Sequence, residues 1–289
     1  MPLDPEKLEQ PLDKLRKLLN KLPKQPSADQ VHDIRTRTRR TEAVLHALQL
    51  DGQRKGRRVL KAVTPVRKRA GKVRDMDVLI GFASTLSSER EKECLVELLE
   101  HLGHHRFREA RKLHKTVVGR RRLATASLKR CSSAIQRNFN GTKGKSDWPA
   151  ATAATALRLT GELASWPRLN ATNLHEFRLK VKELRYVLQL SGETGEFAEM
   201  LGEVKDKIGE WHDWAELASI AEDVLQHSGR CEVVQQIRAT VKRRFDEAMR
   251  AANHLRHQYI DAARPQDKGR RDGKRVKIPA VEAAARLAA

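Results

Sequence analysis

Leu174-His175-Glu176-Phe177-Arg178-Leu179-Lys180-Val181-Lys182-Glu183-Leu184-Arg185-Tyr186 is the stretch whose reading decides the fold. It contains no glycine or proline, and its apolar residues recur every three or four positions. That period belongs to an α-helix and not to a strand, where alternation would be twofold. At about 100° per residue, His175, Arg178, Lys182 and Arg185 fall on one narrow stripe. One flank carries Leu174, Phe177, Val181, Leu184 and Leu188. The other carries Leu179, Tyr186 and Leu190. A solvated face would have polar neighbours. Cations between two apolar edges should instead face something semi-enclosed.

The same pattern stands earlier in the chain, in Val31-His32-Asp33-Ile34-Arg35-Thr36-Arg37-Thr38-Arg39-Arg40, so that His32 answers to His175. Two further blocks match at a common offset of their own. Gly71-Lys72-Val73-Arg74-Asp75 aligns with Gly209-Glu210-Trp211-His212-Asp213, and Arg106-Phe107-Arg108-Glu109-Ala110 with Arg244-Phe245-Asp246-Glu247-Ala248. Three blocks in one order, separated by a single five-residue deletion, read as an internal repeat. The chain is expected to be two related helical halves, each with a cationic motif helix.

Working outward, residues 5–22 read as an amphipathic helix ended by Pro23 and Pro26. Ser27 or Asp29 is placed to cap the next helix, over 28–50. A basic helix over 53–73 holds Pro65, which should kink or split it. A short helix follows to about Ser88, then a long one over 89–138. In the second half, helices are expected near 150–165, 171–191, 196–210, 212–228 and 230–262. The resulting layout is a lead-in helix at 1–26, a first half at 27–140, a linker at 141–149, a second half at 150–263 and a flexible basic tail at 264–289. No strand-type alternation survives, so the fold class is all-α.

Of the 289 residues, 33% are charged and 4% aromatic, and the net charge is +21. So large an excess repels itself, and the expected partner is a polyanion. Cys94, Cys131 and Cys231 form no CxxC pair, so neither a disulfide framework nor a zinc site is expected, and a reducing compartment fits. Residues 1–10 carry four charges and no apolar core of a secretory signal. No apolar stretch is long enough for a membrane span.

Phosphate polymers call for closely spaced cations. Arginine supplies a rigid donor fork, lysine a mobile point charge, and histidine a donor that gains charge on protonation. Nucleic acid is the rival ligand, because phosphate contacts dominate its affinity too. Single-strand binders add stacking aromatics, however, and here these are sparse and not interleaved with the cations. Glycine-rich phosphate loops and nucleophile elbows are absent, and His175-Glu176 does not open an HExxH, because position 179 is Leu. No catalytic residue, cofactor or metal ligand is therefore assigned, and the protein is expected not to be an enzyme. His101, His104 and His105 have helical spacing but no evident further ligand. Asp75, Asp77 and Asp213 read as caps or ion-pair partners, the run Arg120–Arg122 as a solvated face, and Trp211 and Trp214 as core. Either motif histidine alone would be an ordinary helix histidine; the repetition singles them out.

The motifs His-x-x-Arg-x-x-x-Arg-Arg at 32–40, Arg-Asp-x-Asp-Val at 74–78, His-x-x-Arg-x-x-x-Lys-x-Leu-Arg-Tyr at 175–186 and Leu-Gly-x-Val-x-Asp-x-Ile-Gly-x-x-His-Asp at 201–213 together resemble the conserved histidine α-helical domain family, abbreviated CHAD. The resemblance covers about residues 10–260. It implies two four-helix bundles related by a pseudo-twofold axis around a basic cavity or pore. It implies binding of inorganic polyphosphate by His32, Arg35, Arg39, Arg40, His175, Arg178, Lys182 and Arg185, and a cytoplasmic place on polyphosphate granules. Arg58, Arg69, Arg74, Arg106, Lys205, His212, Arg243 and Arg244 form a second rank of candidate binding residues. Nucleic acid binding, or bridging of DNA to polyphosphate through the basic tail, is the alternative. The chain departs from the family at Glu42, which aligns with Arg185 where the family usually has another Arg. It also lacks the Glu-x-Glu-x-Lys of an attached triphosphate tunnel domain, because Glu93 closes the series Glu89, Glu91.

Overall fold

A computed structural model of the chain describes residues 5–48, 50–87, 91–141, 148–190, 195–225 and 231–260. Eight α-helices follow one another: α1 Pro5–Lys21, α2 Ala28–Ala47, α3 Arg54–Ala83, α4 Lys92–Gly141, α5 Trp148–Ala164, α6 Leu174–Leu190, α7 Glu196–Val224 and α8 Glu232–Leu255. A π-helical turn, Arg256–Ile260, extends α8. No strand occurs among the described residues. The fold is all-α, as the periodicity predicts. Most of the linker expected at 141–149, and all of the tail expected at 264–289, lie outside the described residues.

Ser27 caps α2. Its hydroxyl accepts from the Gln30 amide at 3.3 Å, and the Gln30 side chain accepts from the Ser27 amide at 3.0 Å. This reciprocal pair satisfies two amides that a helix start leaves without partners, and such a cap contributes about 1 kcal/mol. Ser27, rather than Asp29, sets the start of the first motif helix.

Two expected boundaries do not exist. Residues 53–73 and the helix after them are one helix, α3, because Pro65 does not split it. Proline removes the amide that would bond the Lys61 carbonyl one turn back. Arg120 of α4 replaces that donor, its Nη1 lying 2.9 Å from the Lys61 oxygen. Similarly, the helices expected at 196–210 and 212–228 are one helix, α7. Gly209 lies inside it, and the reason for a glycine there is a side chain described below.

The chain forms two compact units. The first unit contains α1 to α4 with the segment Asp213–Lys242, which is the end of α7 and the start of α8. Here α1 packs on α2 and α4, α2 on α3, and α3 on α4. Leu12, Leu15, Leu19, Val31, Ile34, Val59, Val66 and Leu113 fill its interior. A neighbouring cluster joins Met76, Leu79, Leu98 and Leu102 to Trp214, Leu217, Val234 and Ile237. Trp214 stacks on Phe82 at 4.6 Å between ring centroids, as a core residue should.

The second unit contains α5, α6, α7 up to His212, and α8 from Arg243. Its core gathers Leu159 and Leu163 of α5, Phe177, Val181 and Leu184 of α6, Leu201, Val204 and Ile208 of α7, and Ala248, Ala252 and Leu255 of α8. Phe177 is fully buried, and a side chain of that size contributes about 1.5–3 kcal/mol when withdrawn from water. No helix among the described residues is long and apolar enough to cross a membrane.

Candidate functional site

In the second unit, an asparagine-rich turn aims α6. The Asn170 Oδ1 accepts from the amides of Thr172 and Asn173 at 2.9 and 3.2 Å, and Asn173 Oδ1 accepts from the Asn170 amide at 2.9 Å. Arg256 fastens the preceding segment by donating to the carbonyls of Trp166 and Pro167 at 2.8 and 2.9 Å. Leu174, Phe177, Val181, Leu184 and Leu188 then point into the core, as their spacing requires. The second apolar flank is not covered in the same way: Leu179 is 46% exposed. The cationic stripe therefore runs between a buried edge and an open one.

Each cation of the stripe is held from α7 or from α6 itself. The rings of His175 and His212 lie 4.5 Å apart. Arg178 donates through Nε to the Lys205 carbonyl at 2.9 Å. To do so it lies flat against Gly209, where an added Cβ would come within 2.5 Å of Nη2 and 3.0 Å of the guanidinium carbon. That is why α7 carries a glycine in mid-helix: any side chain there would displace Arg178. Arg185 lies against Gly202 in the same manner, 3.1 Å from the position a Cβ would take. Lys182 is 8% exposed, with its ammonium 5.9 Å from the Tyr186 ring centroid. Aromatic and aliphatic walls hold these long stems and limit the entropy that binding would cost.

The first unit repeats this arrangement with changes. Arg35 lies over Gly71, 3.9 Å from a hypothetical Cβ, and Arg35 and Gly71 are the repeat equivalents of Arg178 and Gly209. Its Nη2 is 3.9 Å from Asp75. His32 is exposed, 3.4 Å from the Thr36 hydroxyl. Arg39 is half-buried and Arg40 exposed. Glu42 accepts from the Thr64 hydroxyl at 2.8 Å and pairs with Arg67 Nε at 2.7 Å. The offset that carries Gly71 to Gly209 also carries Thr64 to Gly202 and Arg67 to Lys205. So where the second unit sets Arg185 over a glycine, the first sets a carboxylate against a threonine and neutralises it with Arg67.

The second-rank candidates divide. Arg106 is committed to the fold, donating to Asp77 at 2.5 Å and to the Pro26 carbonyl at 2.9 Å. Asp77 is thus an ion-pair partner, of Arg106 on α4. Arg69 pairs with Glu109 at 3.3 Å, and Lys207 with Glu247 at 3.4 Å, at equivalent positions of the two halves. Arg244 is divided between Glu210 and Glu247, at 2.9 and 2.8 Å. Its hydrogen bond to Glu247 is the main reason that carboxyl titrates below its ordinary range. For Glu109, burial acts to raise the pKa, but the hydrogen bond from Lys112 and the charges of Lys112, Arg69 and Lys72 prevail and hold it low. Lys205 pairs with adjacent Asp206 at 2.5 Å. Arg58 and Arg243 are exposed, and Arg74 and His212 half-buried.

Sequence reasoning quoted Gly202 only within a family motif and did not single out Thr64 or Arg67; extending the second offset of the repeat beyond the quoted blocks would have aligned Thr64 with Gly202 and Arg67 with Lys205. It also read the cysteines as scattered, whereas Glu91, Cys94 and Cys231 of the first unit bring their ligand atoms within 4.8 Å of one another. Burial pushes the Cys231 thiol up to about 11. Its sulfur also accepts from the amides of Val233 and Val234, while the first amide of α8, that of Glu232, donates to Glu91 Oε2 at 2.6 Å. His101, His104 and His105 form no such group among the described residues.

The CHAD domain family profile matches residues 6–222. Among solved structures, the CHAD domain from the plant Ricinus communis superposes with a TM-score of 0.64 at 15% identity, covering 88% of this chain and 89% of that one. PptA from Streptomyces chartreusis superposes with a TM-score of 0.57 at 14% identity, covering 88% of this chain and 98% of that one. Identities so low establish a shared helical fold and nothing finer. No curated protein matches the chain.

Proposed function

The chain belongs to the CHAD domain family, and from that premise we propose that it binds inorganic polyphosphate through the histidine-led cationic faces of α6 and α2, as a binding module on polyphosphate granules rather than an enzyme. The observation that carries this reading is Arg178, laid across Gly209 and tied by Nε to the Lys205 carbonyl. That seat fixes the plane of a guanidinium whose rigid donor fork suits paired phosphate oxygens. Lys182, Arg185 and His175 continue the row at helical spacing. A linear phosphate chain offers negative oxygens at every unit and no bases, so a row of oriented donors without aromatic platforms matches it. Histidine adds a proton-dependent contribution.

The test is a titration of the full chain with polyphosphate, with a single-stranded DNA of equal charge and with heparin, each over a range of salt. Polyphosphate affinity should fall as salt rises, as it does for other phosphate-dominated complexes, and should exceed that for DNA at every salt concentration. Equal affinities would reduce the protein to a general polyanion binder. Release of orthophosphate from polyphosphate with Mg²⁺ or Mn²⁺, lost in His175→Ala, would instead make it an enzyme.

A further inference from the structure

The first unit carries a cleft of about 700 Å³ lined by α3 and α4. Its walls supply Lys68, Arg69 and Lys72 from α3, and Lys115 and Arg120 from α4; no acidic residue lines it. We propose that this cleft is a separate subsite for a short run of linear condensed phosphate. It deepens the polyphosphate reading and rests on it.

Three observations carry the proposal. The cations are partly preset. Pro65 leaves the Lys61 carbonyl without its helical donor, and Arg120 is drawn to it through Nη1 at 2.9 Å. One guanidinium is thereby fixed at the cleft with its remaining donors unused in that bond. On the opposite wall, Glu109 holds Arg69 at 3.3 Å. Lys68, Lys72 and Lys115 enter no ion pair among the described residues, although the charge of Lys72 is felt by Glu109.

The floor is open. Gly119 lines the cleft, and a Cβ added there would meet no atom within 4 Å. The missing side chain leaves room for a ligand to lie between the lysines of the two helices.

The repeat supplies an internal control. At the offset that relates Gly71 to Gly209, the positions of Lys68, Arg69, Lys72, Lys115 and Arg120 become Asp206, Lys207, Glu210, Asn253 and Gln258. Five cations in the first unit answer to one cation and two carboxylates in the second, where Glu210 is paired with Arg244. A charge cluster serving solubility alone would have no reason to appear on one face of one half. The two halves are also unequal in the opposite sense at the motif helix, where Arg185 answers to Glu42. The half with the shorter stripe has the cationic cleft.

The experiment titrates the full chain with tripolyphosphate and with long-chain polyphosphate. Gly119→Glu places a carboxylate in the cleft without a steric cost, and Gly119→Gln controls for its bulk. Gly103→Glu puts the same charge elsewhere on α4, also where a Cβ meets nothing. Gly119→Glu should weaken tripolyphosphate binding about tenfold or more, as loss of a charge-assisted contact does, and both controls should stay within about twofold. The triple change Lys68→Ala, Lys72→Ala, Lys115→Ala should do the same and lower the number of phosphates bound per chain. Gly119→Glu should weaken tripolyphosphate binding by the same factor with or without Arg178→Glu and Lys182→Glu in the same chain, as independent sites do. If Gly119→Glu behaves like Gly103→Glu while the parent chain binds both ligands, the cleft is not a subsite and the polyphosphate reading stands. If the parent chain binds neither, both fall.

Discussion

The two motif helices descend from one pattern and have been built to different degrees. In the second unit, α6 sets Arg178 and Arg185 against glycines, buries most of Lys182 and brings His175 against His212. In the first, α2 keeps the arginine over its glycine but leaves His32 exposed and commits Arg67 to Glu42. The lesson is that the number of cations on a face says less than how many are oriented and how many a carboxylate already neutralises. Ion pairs on a half-exposed surface contribute about 0–1 kcal/mol to stability, yet each one withdraws a charge from a polyanion.

The widest contrast should come from charge reversal. Arg178→Glu with Lys182→Glu removes two oriented contacts, each of about 1.5–3 kcal/mol, so polyphosphate affinity should drop at least about a hundredfold. Arg35→Glu with Arg39→Glu should cost about tenfold, and Arg121→Glu with Arg122→Glu no more than the change in net charge brings. Equal losses from all three pairs, read from binding isotherms at one salt concentration, would erase the distinction between site and bulk charge.

Next in size is the pair of glycines. Gly209→Ala forces Arg178 off its seat and should weaken binding about tenfold, whereas Gly71→Ala, whose Cβ would sit in ordinary contact 3.9 Å from Arg35 Nε, should change it by less than about twofold while slightly stabilising the helix. If the two alanines act alike, the seat is not what orients the guanidinium.

A smaller gain is expected from making the first copy resemble the second. Glu42→Arg with Thr64→Gly recreates the Arg185 and Gly202 arrangement and releases Arg67 from its ion pair. Affinity should rise about threefold and the salt dependence steepen, because further counterions are released. An unchanged salt slope would mean that α2 does not touch the polymer.

The last contrast concerns stability and not binding. Glu109 is 3% exposed and its folded pKa lies below the ordinary carboxylate value. Its contribution is therefore present above the unfolded pKa and is lost as pH falls through the folded one. Glu109→Gln should lower Tm at neutral pH, corresponding to about 1–3 kcal/mol, and the gap to the parent should close as pH is taken down into the acid range. A gap that persists there would assign the cost to packing and not to charge.

Much of the architecture was legible because it is periodic. The apolar series of α6, the capping serine of α2 and the repeat are local or self-comparing signals, and all survive in the structure. The eight candidate residues were legible as a pattern, but not the contacts each one makes. Nothing near Glu42 in sequence announces that Arg67, one helix later, would neutralise it. Likewise Pro65 and Gly209 are helix interrupters by propensity. Both sit inside continuous helices because a residue from another helix, Arg120 or Arg178, uses the gap each one leaves. Leu179 shows the reverse error: an apolar residue on a helix flank need not have anything to cover it.

The bond from Arg120 to the Lys61 carbonyl also has a mechanical consequence. Two long helices packed side by side can slip along each other, and one turn of slippage moves a contact by about 5.4 Å. Interlocked apolar side chains resist this, as do the pairs Arg106–Asp77 and Arg69–Glu109 between the same two helices. Within the body of α3, Pro65 leaves the Lys61 carbonyl without its helical donor, and the guanidinium of Arg120 reaches it from one register. The proline thus acts as an index mark that keeps the 30-residue α3 and the 50-residue α4 in step along their lengths.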